Sequence, residues 1–337
     1  MFGRVKMLGV PVMKLILADI GGTNARFAVS VQGDPSLRHI TNLRCTDFEG
    51  FEYAFERFLA GLPRDEQSGY HEMSLAVAGP VNDQIVDISN NHWRFKKNWL
   101  LNRLKLEKLL VINDFTAQAL AQHEAADFDR SQLLDGVDDA KAPLLVIGPG
   151  TGLGVSALIP VAQGPLPVEG EGGNIRFTPQ TGNERDLCDY MEQETDHVVI
   201  EHFVSGPGLE NIYRFLTYAA SNEPSLSAEI IATTALREEG ICRDAVNLMI
   251  GILGAVMGDH VLTMGCWRGV VITGGIMPRL QPLIVSSPLE RRFRSVGEMS
   301  HILGKVPVWL STDPHAGLKG ARAAFGNPYL AHRMVTG

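Results

Sequence analysis

Cysteine is scarce in this chain, which has four among its 337 residues. Cys45, Cys188, Cys242 and Cys266 lie far apart, so no two of them form a Cys-x-x-Cys pair for zinc binding or disulfide exchange. Sparse, scattered cysteines are typical of a reducing compartment. We therefore expect a cytoplasmic protein.

Positive charge is also in short supply. Lys and Arg number 30 against 38 Asp and Glu, which gives a formal net charge of −8. Nucleic-acid-binding proteins usually carry a basic patch or stripe, so we expect no nucleic acid partner. Hydrophobic residues make up 45% and charged residues 20%, a mixture that is typical of globular proteins and excludes wholesale disorder. At about 150 residues per domain, the length predicts two domains.

Long hydrophobic runs are missing as well. No apolar stretch approaches the roughly 20 residues that span a bilayer, so we expect no membrane partner. The N-terminal residues are basic and mildly apolar, but Asp19 interrupts the apolar stretch before any cleavage site, which argues against a signal peptide. The plainer interpretation is that Met13 is the natural start and that residues 1–12 are an extension.

Glycine, by contrast, is abundant: 35 of 337 residues, or about 10% against an average of about 7%. The glycines cluster in turns. An apolar run at 15–20 leads into GGTNAR at 21–26 and then into a second apolar run, which predicts a hairpin. Residues 144–160 repeat the pattern, so the chain has two glycine-turn hairpins.

Periodicity predicts the other main elements. Residues 46–62 predict a helix that begins with a capping box of Thr46 and Glu49. From 181 to 265 the pattern is mainly helical, with one apolar face over 246–264. Further strands are predicted at 73–81, 109–115, 270–278 and 306–310, and a closing helix at 317–325.

The two glycine turns lack the features of two familiar nucleotide-binding loops. Neither has the Gly-Lys-Ser/Thr of a Walker A loop, and the glycines of GPGTGLG (148–154) do not have the dinucleotide-binding spacing. What remains is a turn rich in backbone N–H groups with a threonine hydroxyl, which can donate to phosphate oxygens. Two such hairpins could hold phosphates from two sides. The alternative is a pair of ordinary hairpin turns.

Polar residues at strand ends in the first half are candidate ligands. Asp19 precedes the first glycine turn, where a carboxylate suits Mg²⁺ directly or through water, or could simply cap the turn. Asp114 follows an apolar strand, where it could accept a proton from an alcohol or cap the next helix. Asn113 beside it offers a donor and an acceptor, which suits a hydroxyl-rich substrate.

The second half has a similar set. Glu171 and Asn174 lie in a glycine-rich segment, and Glu201 precedes another. Carboxylates and amides in loops suit sugar recognition, because each hydroxyl both donates and accepts a hydrogen bond. Gly274 and Gly275, between a predicted strand and a helix, would let an adenine lie against the backbone; close packing of the strand on the helix is the alternative.

Taken together, these motifs resemble the bacterial glucokinases of the hexokinase-like, actin-fold ATPase superfamily over about residues 15–325. The resemblance rests on the following segments, in this order: ADIGGTNAR (18–26), AVAGPV (76–81), NNHWRF (90–95), INDF (112–115), GPGTGLGV (148–155), GEGGN (170–174), SGPGL (205–209) and TGGIMPR (273–279).

The family's architecture follows from this resemblance. It implies an α/β protein with a two-domain actin-like or ribonuclease H-like ATPase fold and a cleft between the domains. The small α/β domain would cover 13–115 and the large one 116–337, with the closing helix near 317–325 a candidate to pack back on the small domain. The resemblance also implies a homodimer.

The resemblance assigns the candidate residues to an ATP site and a sugar site. The residues it matches to ATP-binding positions are Asp19, Gly21, Gly22, Thr23 and Asn24 in the first phosphate motif, Gly150, Thr151 and Gly152 in the second, and Gly274 and Gly275 at the adenosine. Asp19 would also hold Mg²⁺, directly or through water. Asn113, Glu171, Asn174 and Glu201 would bind the sugar, and Asp114 would bind it and act as the catalytic base.

The implied activity is ATP-dependent phosphorylation of glucose at its 6-hydroxyl, giving glucose 6-phosphate and ADP at the start of glycolysis. One position departs from the family pattern EGGH, because this chain has Asn174 in place of the histidine. A kinase of another hexose, such as mannose, fructose or an amino sugar, is therefore an alternative. A non-kinase, actin-like nucleotide-dependent sugar sensor is a more distant one, since an actin-like filament protein would not need Asn113, Asp114 and Glu171.

Overall fold

The computed structural model of the protein describes residues 14–81, 83–123, 125, 129–218 and 225–337, so the expected extension at 1–12 lies outside the described residues. The contacts divide the chain into two compact units. The first unit ends at Ala117 and resumes with His315–Gly337, and the second is Gln118–Pro314.

The strands of the described residues are β1 (Lys14–Ile20), β2 (Asn24–Val31), β3 (Leu37–Arg44), β4 (Glu72–Val77), β5 (Ile85–Asp87), β6 (Arg94–Lys96), β7 (Lys108–Asn113), β8 (Arg130–Leu134), β9 (Leu144–Pro149), β10 (Leu153–Val161), β11 (Gly164–Glu169), β12 (Gly269–Ile272), β13 (Val308–Ser311) and β14 (Met334–Thr336). The α-helices are α1 (Phe51–Ala60), α2 (Lys97–Arg103), α3 (Asp114–Ala121), α4 (Gly182–Met191), α5 (Gly206–Thr217), α6 (Ala228–Arg237), α7 (Ile241–Met264), α8 (Met277–Ile284), α9 (Leu289–Arg294), α10 (Ser300–Leu303) and α11 (Ala316–Phe325).

The first unit is built on a six-stranded sheet in the order β3-β2-β1-β4-β7-β14. β1, β4 and β7 run parallel to one another, whereas β2, β3 and β14 pair antiparallel with their neighbours. The register places Ile20, Val77 and Asn113 in one row at the carboxyl ends of the three parallel strands. The residues that follow these strands therefore lie along one edge of the sheet, where ligands of α/β proteins commonly bind.

The second unit repeats this arrangement in the order β11-β10-β9-β12-β13-β8. Here β9, β12 and β13 are parallel, and β10, β11 and β8 pair antiparallel. The hairpins β1–β2 and β9–β10 thus hold the same position in their two sheets. The predicted pair of glycine-turn hairpins is confirmed, and both units have the expected mixed α/β architecture.

α1 begins later than predicted. Its N-cap is Gly50, which provides no side-chain cap for the helix that starts at Phe51, so the expected capping box of Thr46 and Glu49 is wrong. Thr46 lies instead in a short 3-10 helix over Cys45–Asp47. This 3-10 helix directly follows β3 and forms a separate turn. α1 therefore begins only after it, with Gly50 as its N-cap.

The apolar face of α1 forms as predicted and supplies much of the core of the first unit. Phe51, Phe55 and Phe58 are almost fully buried. Their rings pack around Phe27 of β2, with centroids between 5.2 and 6.4 Å apart. Trp93, from the segment between β5 and β6, meets Phe51 edge-on at 6.2 Å. The aromatic cluster fixes the β5–β6 hairpin to the rest of the unit.

α7 has a wider buried surface than the single apolar face expected over 246–264, because the helix is buried nearly all round. Its glycines provide the additional face. A Cβ at Gly254 would lie 2.6 Å from the carbonyl oxygen of Leu289, and one at Gly258 would lie 3.0 Å from that of Phe293. α9 therefore packs directly on the backbone of α7.

By length and composition, this 24-residue helix could cross a membrane. The expectation that no apolar segment approaches that length was therefore wrong. Within the protein, however, 78% of its most apolar stretch is buried, and the helix packs against α5, α6 and α9. We interpret α7 as the central core helix of the second unit.

Three predicted strands are shorter in the structure. The predictions at 73–81, 109–115 and 270–278 correspond to β4, β7 and β12. Beyond β4 the chain turns at Gly79, whose φ is +105°, and directly after β7 the helix α3 begins at Asp114. These early ends place the candidate ligands in turns and helix starts beyond the strands.

One substitution tests how α11 packs on the first unit. The helix lies against β1 and β4, and the hydroxyl of Ser74 donates to the carbonyl oxygen of Ala321 at 2.7 Å. A Cβ at Gly320 would collide with the carbonyl oxygen of Ala117. Gly320→Ala should therefore lower Tm by several degrees, because overpacking costs about 1–3 kcal/mol or more. In calorimetry, Gly326→Ala is the control, since a Cβ there meets nothing within 4 Å; equal Tm values for the two variants would contradict this packing.

Candidate active site

The first glycine loop connects β1 to β2 at the carboxyl edge of the sheet. The N–H of Gly21 donates to the carbonyl oxygen of Asn24 at 2.9 Å, which closes the turn. The amide of Asn24 donates to the hydroxyl oxygen of Thr23 at 2.9 Å. Within the described part of the chain, the backbone N–H groups of Gly22 and Thr23 donate to no protein acceptor. The loop therefore presents donors that an anion could use.

Asp19 lies one residue before the end of β1 and is 8% exposed. Its carboxylate pairs with the guanidinium of Arg26 at 3.2 Å. Burial raises the pKa of Asp19, and the positive charge of Arg26 offsets part of that effect. A Cβ at Gly317 would lie 2.5 Å from the carboxylate, so the absence of a side chain in α11 gives Asp19 its room.

The donor set around Asp19 is compatible with Mg²⁺. This ion commonly takes one or two carboxylates, several waters and substrate phosphates. Among the residues that the structure describes, no three His, Cys, Asp or Glu side chains gather as a metal site. Any Mg²⁺ at Asp19 would therefore depend on waters and a phosphorylated ligand for its other contacts.

Asn113 and Asp114 stand where β7 passes into α3. The side-chain oxygen of Asn113 accepts from the N–H groups of Phe115 at 2.8 Å and Thr116 at 3.2 Å. The helix is thus capped by Asn113, while the Asp114 carboxylate also accepts from the N–H of Phe115, at 3.0 Å. The Asn113 amide also donates to the carbonyl oxygen of Gly79 at 3.2 Å. Its oxygen is fully used, and one N–H remains to donate to a ligand.

The second glycine loop connects β9 to β10. Its turn is closed by the N–H of Gly150, which donates to the carbonyl oxygen of Gly152 at 2.8 Å. The carbonyl oxygen of Gly150 in turn accepts from Gly206, at the start of α5, at 2.8 Å. Thr151 and Gly152 have backbone N–H groups without a protein acceptor in the described residues. This loop thus matches the first in its available donors.

Glu201 is attached to the second loop. The N–H of Leu153 donates to the Glu201 carboxylate at 2.8 Å. A Cβ at Gly152 would collide with that carboxylate. A side chain at Gly152 would therefore have to displace the Glu201 carboxylate.

Glu171 and Glu201 are close enough to influence one another. Burial raises the pKa of Glu171, and the negative charge of Glu201 raises it further. Glu171 is held by the short 3-10 helix that follows it, where the N–H of Asn174 donates to its carbonyl oxygen at 3.0 Å. A Cβ at Gly172 would lie 2.7 Å from the Cβ of Val155, so this segment packs directly on β10.

Gly274 and Gly275 lie between β12 and α8, as predicted, but they differ in what surrounds them. Gly274 has a φ of +91°, and a Cβ there would lie 2.5 Å from the carbonyl oxygen of Pro149. A Cβ at Gly275 would meet nothing within 4 Å. Close packing therefore accounts for Gly274, whereas Gly275 borders open space.

The structure brings the candidate residues together in two groups, one in each unit. In the first unit, Asp19, the loop 21–24 and the pair Asn113–Asp114 share one sheet edge. Asp19 lies one residue before the end of β1, Asn113 ends β7, and only β4 separates these strands, so the two backbones are about 10 Å apart. In the second unit, the loop that contains Gly150, Thr151 and Gly152 meets Glu201 at Gly152 and Leu153, and the charge of Glu201 acts on Glu171.

Comparison with known proteins identifies the family. A model of the family described as glucokinase matches residues 16–328. The glucokinase of Helicobacter pylori strain P12 is 38% identical over 329 residues, which cover 95% of this chain and 97% of the relative. A crystal structure of glucokinase from an Antarctic psychrotroph has a TM-score of 0.80 at 31% identity, covering 93% of this chain and 99% of that one. The chain belongs to the glucokinase family.

A glucokinase of lower sequence identity also has a similar fold. The glucokinase of Balamuthia mandrillaris, solved in complex with glucose, has a TM-score of 0.79 at 22% identity and covers 96% of each chain. At this identity the likeness concerns the fold alone. The mixed α/β fold expected from the sequence is confirmed by these neighbours.

Two residues of the glucokinase candidate site were missed by the sequence analysis. Arg26 could have been found, because the β1–β2 register places it directly opposite Asp19. Asn91 donates to the carbonyl oxygen of Gly21 at 3.0 Å, and no local pattern predicts a contact between such distant segments. Both residues belong to segments that carry the family resemblance.

A pair of glycine variants tests the geometry of the second loop. Gly152→Ala should displace the Glu201 carboxylate and break its bond to the Leu153 N–H, since the new Cβ would occupy the same place. Amide exchange of Leu153, measured by NMR, should then become at least about tenfold faster, which corresponds to about 1.4 kcal/mol. Gly150→Ala, where a Cβ meets nothing within 4 Å, is the matched control. Unchanged Leu153 exchange in Gly152→Ala would rule out this contact.

Proposed function

We propose that this chain transfers the γ-phosphoryl group of ATP to the 6-hydroxyl of glucose, giving glucose 6-phosphate and ADP. The observation that carries the proposal is the match between the two glycine loops. Each has two consecutive backbone N–H groups without a protein acceptor in the described residues, at Gly22 and Thr23 and at Thr151 and Gly152. Phosphate oxygens are strong acceptors for such donors.

The nucleotide would be bound mainly by backbone groups. The N–H groups of both loops, together with the hydroxyls of Thr23 and Thr151, would hold the phosphates. Gly275 would lie against the adenosine, which its open surroundings support. When bound at Asp19, directly or through water, Mg²⁺ would neutralise phosphate charge. In the described part of the chain no three His, Cys, Asp or Glu side chains gather as a metal site, which fits an ion held largely by water and the nucleotide.

The sugar would be bound by the carboxylate and amide groups. Asn113 would donate its remaining N–H to a hydroxyl, since its oxygen is occupied by the start of α3. Glu201 uses one oxygen for the Leu153 N–H and has the other for a sugar hydroxyl. Glu171 and Asn174 would contact further hydroxyls.

Asp114 would act as the general base. It would accept the proton of the 6-hydroxyl as that oxygen attacks the γ-phosphorus of ATP. The loop N–H groups would stabilise the charge that develops on the phosphates. Phosphoryl transfer depends mostly on positioning and charge stabilisation, and the groups named here supply both.

A panel of hexoses tests the activity and its specificity. ADP release with MgATP should be fastest with glucose, because the resemblance to glucokinases covers nearly the whole chain. Fructose, mannose and an amino sugar provide the alternatives that Asn174 leaves open. Faster turnover of one of these would assign another hexose kinase, and no sugar-dependent ADP release would contradict the proposal.

We also propose that the enzyme works as a homodimer in the cytoplasm, at the start of glycolysis. The support is the family resemblance together with the scattered cysteines. Light scattering of the purified protein should give twice the mass of the chain. A monomer at micromolar concentration would contradict the dimer.

Replacing Asp114 tests its role as base. Asp114→Asn and Asp114→Ala should lower kcat by roughly 10² to 10⁴, the usual contribution of general base catalysis. Glucose binding, measured by calorimetry, should be largely kept. Asp65→Asn, at an exposed position of the same unit, is the control. Turnover near that of the control would remove Asp114 from the mechanism.

Restoring the family histidine tests Asn174. Asparagine is shorter than histidine, so a sugar hydroxyl that a histidine reaches would be left to water or without a partner. An unpaired hydroxyl costs about 1–3 kcal/mol, and about 1.4 kcal/mol is a factor of ten. Asn174→His should therefore lower the KM for glucose by about tenfold and sharpen discrimination against mannose and 2-deoxyglucose.

The measurement is kcat/KM for the three sugars in both forms of the enzyme. Asn183→His, at an exposed position of the second unit, is the matched control. If Asn174→His is no better with glucose and no more selective than the parent, Asn174 already bonds the sugar directly.

A further inference from the structure

We infer that Asn91 is a positioning residue that holds the first glycine loop in its phosphate-binding shape. It lies in the segment between β5 and β6, which belongs to the first unit. This inference rests on the proposed function, because the loop that Asn91 supports is the one proposed to bind the phosphates of ATP. Asn91 itself need not touch the nucleotide.

Asn91 bridges two backbone segments through both ends of its amide. Its N–H donates to the carbonyl oxygen of Gly21 at 3.0 Å. Its side-chain oxygen accepts from the N–H of Trp93 at 3.0 Å. The second bond fixes the orientation of the side chain, and the first fixes the carbonyl at the start of the loop. The adjacent Gly22 packs closely against the backbone of Asn90. A Cβ at Gly22 would lie 3.0 Å from the carbonyl oxygen of Asn90.

The far end of the loop is held by the same segment through one intermediate. The carbonyl oxygen of Thr23 accepts from the N–H of Cys45 at 2.9 Å. Cys45 opens the short turn that ends at Phe48, whose carbonyl oxygen accepts from the indole N–H of Trp93 at 3.1 Å. Carbonyl oxygens on both sides of Gly22 are therefore bonded into the protein. The N–H groups of Gly22 and Thr23 are left as the available donors.

The same hairpin also contacts the turn that supports Asn113. The N–H of Ser89 donates to the carbonyl oxygen of Ala78 at 3.1 Å. The carbonyl oxygen of the next residue, Gly79, accepts from the Asn113 amide at 3.2 Å. A Cβ at Gly79 would lie 2.6 Å from the hydroxyl oxygen of Ser89. One hairpin thus supports the phosphate loop through Asn91 and the sugar-binding amide through Ser89. This separation allows the two supports to be tested independently.

Two substitutions at Asn91 separate its donor from its acceptor. Asn91→Ala removes both bonds, together with the side-chain hydrogen bond between Asn91 and Cys45. Asn91→Asp keeps the oxygen that accepts from the Trp93 N–H but replaces the donor to Gly21 with an oxygen that repels its carbonyl. If Asn91→Ala fails to fold, Asn91→Asp decides the test. Asn102→Ala is the control, because this exposed asparagine has no side-chain bond in the described part of the chain.

Steady-state kinetics should show a split between the substrates. Either Asn91 variant should raise the KM for ATP by about tenfold, which corresponds to about 1.4 kcal/mol, and leave the KM for glucose within about twofold of the parent. Gly79→Ala should do the reverse, since an alanine is strained at a φ of +105° next to Ser89. A merely structural role for Asn91 would raise both KM values together or lower Tm without a split.

Binding of MgADP, measured by calorimetry, gives a readout that does not depend on catalysis. Weaker MgADP binding in Asn91→Asp supports the positioning role even if the parent phosphorylates no hexose, in which case only the proposed function fails. Parent-like MgADP binding and a parent-like KM for ATP would overturn the inference while leaving the kinase proposal intact. An equal rise in both KM values would also overturn it.

Discussion

The hydrogen bond from the Leu153 N–H to the Glu201 carboxylate, 2.8 Å long, connects the two kinds of proposed ligand group in the second unit. It forms because Gly152 has no side chain to occupy the same place. The loop assigned to phosphate and the carboxylate assigned to sugar therefore share a fixed point. The charge of Glu201 also helps to raise the pKa of Glu171. A change at Gly152 or Glu201 should therefore alter both the bond to the Leu153 N–H and the pKa of Glu171.

In the first unit, the sheet itself brings the proposed ligand groups together. Parallel β1, β4 and β7 end in one row, so Asp19, the glycine loop and the Asn113–Asp114 pair reach the same edge of the sheet. The two units thus reach a similar result by different means. Strand register aligns the residues of the first unit, and a side chain bonded to the backbone aligns those of the second.

Much of this could be predicted from the sequence because it depends on local features. Glycine turns between apolar runs gave both hairpins, and short polar residues at strand ends gave the ligand candidates. Contacts between distant segments could not be predicted. Asn91 meets Gly21 only after folding, and Gly254 in α7 is recognisable as a packing site only once α9 lies on it. The choice of Asn113 over Asp114 as the helix cap depends on where β7 ends, which residue patterns locate only to within a few positions.

The central claim is that these two sets of groups transfer phosphate from ATP to one hydroxyl of glucose. Phosphorus NMR of the product formed from glucose and MgATP tests it most directly, because the coupling of phosphorus to sugar protons identifies the oxygen that carries the phosphate. The account predicts a single phosphorylated product whose phosphorus couples to the two protons on carbon 6. A phosphate on another carbon, or inorganic phosphate as the sole product, would contradict it.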